Sequence, residues 1–76
     1  MEYTKKRKYY KVILTGMFAE TCVPIKEEVH FVKVVDNEEA LKESKKLVRK
    51  KTDSNWRWII DSVSAPNGKV IYSRKK

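Results

Sequence analysis

The sequence predicts an α+β fold: a four-stranded antiparallel sheet with one helix packed on one face, in the order β-β-α-β-β. Three observations lead there. The segment from Asp36 to about Lys51 carries helical spacing and a signal at each helix end. The segments before and after it are rich in β-branched and aromatic residues at strand spacing. Ala65-Pro66-Asn67-Gly68 separates two such runs. Pro presets φ there, while Asn and Gly tolerate positive φ, so the tetrapeptide reads as a hairpin turn. One helix offers one apolar stripe and covers one side of a small sheet. The other side is then left to water or to a partner.

The first strand is expected from Tyr9 to about Val23. Tyr10, Val12, Leu14 and Phe18 alternate onto one face, with Gly16 marking a bulge. Pro24 and Lys26-Glu27-Glu28 read as a loop or as the start of the second strand. That strand continues from Val29 to Val35. Val29, Phe31 and Val35 lie on one side of it and His30, Val32 and Val34 on the other. Both sides are apolar, so its register stays open.

The helix opens at Asp36, with Glu39 three residues on as the capping-box partner and Asn37 as an alternative cap. Ala40, Leu41, Ser44, Leu47 and Val48 form one stripe. Glu38 and Glu39 in the first turn, and Arg49, Lys50 and Lys51 in the last, complement the helix dipole. Asn55 to Ser64 is the third strand. Trp56, Trp58 and Ile60 share one face; Arg57, Ile59, Asp61 and Val63 share the other. Lys69 to Ser73 is the fourth. The protein divides into a basic tail at residues 1–8, a single domain at 9–73 and a basic tail at 74–76.

Composition narrows the function classes. With 76 residues there is room for one thin core. A lone cysteine, Cys22, forbids an internal disulfide and fits a reducing, cytoplasmic setting; it reads as a small apolar filler. Cys22 and His30 fall short of the four ligands that a structural zinc site wants, so no metal is expected. No apolar run reaches the ~18 residues of a membrane span. The N-terminus is basic without an apolar stretch behind it, unlike a signal peptide.

Catalytic parts are missing as well. Gly16 and Gly68 are too far apart for a phosphate-cradling loop. His30 has no sequence-level triad partners and reads as a satisfied or half-exposed strand residue. Glu27 and Glu28 are adjacent, so in a strand they point to opposite faces and cannot work as a pair. Neither an enzyme, a cofactor nor a small-molecule substrate is expected.

Charge is the strongest positive signal. Lys and Arg number 18 against 10 Asp and Glu, a net of +8. Alternating strand directions bring the last turn of the helix and the final residues of the protein to one end. Arg49, Lys50, Lys51, Arg74, Lys75 and Lys76 would then form a basic pole, with Arg57 nearby and Lys45 and Lys46 along the outer helix. Such a cluster is the electrostatic footprint of a polyanion binder. Dipole complement and solubility account for the same residues equally simply. The expected contact set is Lys45, Lys46, Arg49, Lys50, Lys51, Arg57, Arg74 and Lys75, with Trp56 as a stacking group. No sheet-borne RNA-binding signature is present.

The capped helix after a strand, Val34-Val35-Asp36-Asn37-Glu38-Glu39-Ala40-Leu41, is followed by the strand Trp56 to Val63 and by Asn67-Gly68-Lys69-Val70-Ile71-Tyr72. In this order the sequence resembles small phage-encoded inhibitor proteins of the anti-CRISPR or RNA polymerase inhibitor type. The resemblance covers about half its length and implies a non-enzymatic protein that docks on a host nucleic-acid machine. It carries no residue roles. The positive charge departs from the acidic, DNA-mimicking inhibitors.

The expected function is therefore a small basic binding protein that contacts nucleic acid or a nucleic-acid–protein complex. The alternative is an inhibitor or adaptor that docks on a protein through the open sheet face. A homodimer through that face is a third outcome.

Overall fold

A computed structural model describes residues 6–74. Lys5 of the N-terminal cluster, and Lys75 and Lys76 of the expected basic pole, lie outside the described residues. The elements are β1 (Lys8–Phe18), β2 (Pro24–Val34), α1 (Asn37–Lys51), β3 (Trp56–Ser64) and β4 (Val70–Ser73). They form one antiparallel sheet in the order β2-β1-β3-β4. The two central strands, β1 and β3, supply Tyr10, Val12, Leu14, Trp58 and Val63 to the core.

Strand β1 ends at Phe18 rather than near Val23, and β2 begins at Pro24, the earlier of the two starts the sequence allows. The turn between them uses a left-handed residue, Cys22 at φ 57°, whose N–H donates to the Phe18 carbonyl at 2.8 Å. Thr21 and Val23 favour strands, so composition concealed this turn. Cys22 is exposed there and fills no part of the core, contrary to its reading as a buried filler.

Helix α1 matches its expected bounds. The Asp36 carboxylate accepts from the Glu39 N–H at 2.9 Å. The Glu39 carboxylate accepts from the Val35 N–H at 3.0 Å, one residue before the usual capping-box donor. Such a cap stabilises a helix by about 1 kcal/mol. At the far end the Thr52 N–H returns to the Val48 carbonyl. Tyr10 anchors the N-terminus by donating its hydroxyl to Asn37 Oδ1 at 2.8 Å.

Ala40 and Ser44 are buried against the sheet, and Leu41, Leu47 and Val48 pack around them. Below lie Tyr10, Val12, Leu14, Val34, Trp58 and Val63. Ser44 is satisfied inside its own helix, donating to the Ala40 carbonyl at 2.7 Å.

Val63 was expected on the face opposite Trp56, Trp58 and Ile60, yet it is fully buried with Trp58 beneath the helix. The cause is a bulge in β3. Ile13 pairs with Ser62 but Leu14 pairs with Ile60, leaving Asp61 unpaired. One extra residue shifts the alternation by one, and Val63 returns to the helix side. Gly16 stands beside a second irregularity, where β1 and β2 lose register between Gly16 and Met17.

The helix covers one side of the sheet. The other side presents Tyr9, Lys11, Ile13, Thr15 and Met17 from β1, paired with Lys33, Phe31, Val29 and Glu27 from β2. Arg57 and Ile59 continue it on β3. Tyr9 is 58% exposed, Phe31 62% and Val29 49%.

Candidate nucleic-acid interface

Three surfaces bear on binding. The first is a groove between α1 and the β3–β4 hairpin, lined by Lys45, Arg49, Val48, Ile60, Tyr72 and Arg74. Lys45 and Arg49 are one helical turn apart, so their side chains lie on the same face. Arg74 arrives from the end of β4, where its N–H donates to the Asp61 carbonyl at 2.9 Å. Its guanidinium donates to the Asp61 carboxylate at 3.2 Å. The four-residue length of β4 sets this position. Arg74 stops halfway along β3 and reaches the helix beside Lys45 and Arg49, so of the expected pole it joins Arg49 of the last turn and not Lys50 or Lys51.

The second surface is an aromatic cluster at the other end of the same side. Phe18 and Trp56 have ring centroids 4.6 Å apart, and Trp56 and Trp58 stand at 6.3 Å. Lys26 lies over the Trp56 ring at 4.6 Å, and Lys51 over Trp58 at 4.4 Å. Lys51 also pairs with Glu28 at 2.8 Å, and His30 reaches the same carboxylate oxygen at 2.8 Å. Lys51, and after it His30, hold the Glu28 carboxyl below the ordinary glutamate range. Trp56, expected as a stacking group, already has Phe18, Trp58 and Lys26 against it.

The expected contact set therefore separates. Lys45, Arg49 and Arg74 come together. Lys46 pairs with Glu43 at 3.5 Å on the outer helix, beside Lys50. Lys51 turns inward over Trp58. Arg57 lies on the open side of the sheet, away from all of them, since it falls between Trp56 and Trp58 in an alternating strand.

The open side is the third surface. Tyr9 is opposite Lys33 and Phe31 is opposite Lys11, so rings and cations alternate on neighbouring strands. Lys33 lies over the Tyr9 ring at 5.6 Å. Lys11, Lys33, Tyr9 and Phe31 were not among the expected contacts. Strand alternation groups such residues correctly, but not until the covered face is known does the group become a surface.

Among the described residues, no group of three or more His, Cys, Asp or Glu is placed to hold a metal ion. No described helix is long and apolar enough to cross a membrane. Comparison with family models, with curated proteins and with solved structures finds no match for this protein.

Proposed function

We propose that this is a small non-enzymatic binding protein that contacts nucleic acid through the groove between α1 and the β3–β4 hairpin. The observation that carries this reading is the convergence of Lys45, Arg49 and Arg74, from two separate elements, on one open groove. Phosphates are the natural occupants of such a groove, because a phosphodiester is anionic and rich in acceptors. Asp61 accepts from one nitrogen of Arg74, and a guanidinium has five N–H donors, so several remain for a phosphate while the carboxylate holds the side chain in place. The exposed Tyr72 and the half-buried Val48 and Ile60 give the groove an apolar wall against a sugar. Contacts of this kind position a strand without reading its sequence.

The test is a double charge reversal, Lys45→Glu with Arg49→Glu. Both residues are exposed, so the fold is retained and circular dichroism checks it. Three phosphate contacts correspond to a log–log salt slope of about −3 on duplex DNA and about −2 on single strands. The reversal is expected to weaken binding to both and to flatten the slope by roughly 2. Unaltered affinity and slope in a folded variant would overturn the proposal.

A further inference from the structure

We infer that the uncovered side of the sheet is a second binding surface, a stacking platform for single-stranded nucleic acid built on Tyr9 and Phe31. Four observations carry it. The two rings are the most exposed large apolar side chains of the described residues, at 58% and 62%. They are diagonal neighbours on β1 and β2, because Tyr9 pairs with Lys33 and Lys11 pairs with Phe31. Diagonal neighbours are ~7–8 Å apart, which lets two bases seat side by side without competing for one ring.

A cation stands directly across from each ring: Lys33 from Tyr9, 5.6 Å over it, and Lys11 from Phe31. Arg57 extends the same side on β3, and Glu27, opposite Thr15, is an acid near the far end. The exposed Lys6 and Arg7 lead directly into the Tyr9 end. The acids at that end, Asp36, Glu38 and Glu39, belong to the helix N-terminus on the covered side. Asp36 and Glu39 there are engaged with backbone N–H groups. Ile13 and Val29, a directly opposed pair, give the platform an apolar floor.

This charge decides among occupants. A second copy of the protein laid face to face would bring together two surfaces of the same sign, each carrying Lys11, Lys33 and Arg57. A single strand offers what the surface lacks, phosphates for the lysines and flat bases for the rings. A duplex buries its base faces, so it gains nothing from exposed rings.

The surface is separate from the helix-side groove, and the experiment tells the two apart. Fluorescence anisotropy would measure affinity for a 12-nucleotide oligo-dT, for an abasic strand of equal length and for a duplex. Tyr9→Ala and Phe31→Ala remove side chains that face water, so folding survives, and Tyr9→Phe keeps the ring. Each alanine variant is expected to lose roughly 5- to 100-fold on oligo-dT. Neither should change duplex binding, and Tyr9→Phe should bind like the parent. The same loss should appear when the alanine changes are added to the Lys45→Glu, Arg49→Glu variant, which isolates this face from the groove. Equal affinity for the abasic strand and oligo-dT, or alanine variants that bind oligo-dT normally, would overturn the inference. So would a solution dimer whose formation protects Tyr9 and Phe31.

Discussion

Gly16 lies directly beneath the indole of Trp58. A Cβ added there would stand 2.8 Å from Cη2, 2.9 Å from Cζ3 and 3.0 Å from Cζ2 of that ring. The ring has little room to retreat. Its backbone N–H is tied to Thr52 Oγ1 at 3.1 Å, and Lys51 sits over the indole. Two effects of opposite sign compete in Gly16→Ala. A strand interior favours Ala over Gly by roughly 0.5–1 kcal/mol on backbone entropy. Overpacking a closed contact costs about 1–3 kcal/mol. Overpacking is expected to win, so the variant should be less stable by about 1–2 kcal/mol in urea denaturation. A more stable variant would mean that the indole is loosely held. From the sequence, Gly16 reads as a bulge marker; its closer role, as the floor under a tryptophan, depends on a partner strand more than forty residues away and leaves no local trace.

At the scale of elements, the helix was legible and the third strand was only half legible. Asp36, Glu39, the stripe from Ala40 to Val48 and the basic last turn all act within a few residues, and α1 ends where they indicate. The hairpin turn is equally local: Gly68 takes φ 91° and donates its N–H to the Ala65 carbonyl at 2.9 Å. Strand alternation is also local, but it fails at a bulge, and nothing around Asp61 announces one. A pair of changes at that position tests the account. Deleting Asp61 removes the extra residue and leaves Trp58, Ile60 and Val63 in strict alternation, all three still beneath the helix. That deletion is expected to keep a cooperative transition, losing the Arg74 backbone bond to the Asp61 carbonyl. Asp61→Ala keeps the extra residue and the backbone bond to Arg74, removing only an ion pair on the surface, so it should cost less than about 1 kcal/mol. Thermal melts followed by circular dichroism measure both variants. A deletion variant that loses its cooperative transition would refute the bulge as the source of the register.

At the scale of the whole molecule, the same alternation explains what was missed about binding. Periodicity groups Trp56 with Trp58, and Tyr9 with Lys11, but it is silent on which group the helix will cover. Coverage turns the tryptophans into structure and leaves the tyrosine and phenylalanine to solvent. Glu28 makes this division visible in a titration. It links the C-terminal turn of α1 to β2 through Lys51, while Lys51 caps Trp58 on β3, so one carboxylate joins three elements. Lys51 is the leading cause that lowers the Glu28 titration, with His30 second. A carboxyl titrating lower in the folded state than in the unfolded state adds stability above its unfolded value, and that stability is lost as pH falls through the folded value. The window therefore lies below about pH 4.5. Lys51→Met keeps an apolar stem over the indole and removes the charge. It should raise the Glu28 midpoint toward the ordinary range, only part of the way because His30 still reaches the carboxylate. It should also narrow the gap between urea midpoints at pH 7 and pH 3, the wild type losing more on acidification. Carbon-detected NMR of the glutamate carboxyls reads the first effect directly. A Glu28 midpoint unmoved by the substitution would mean that α1 is not clasped to β2, and that the side of the sheet assigned to the helix is not closed at this end.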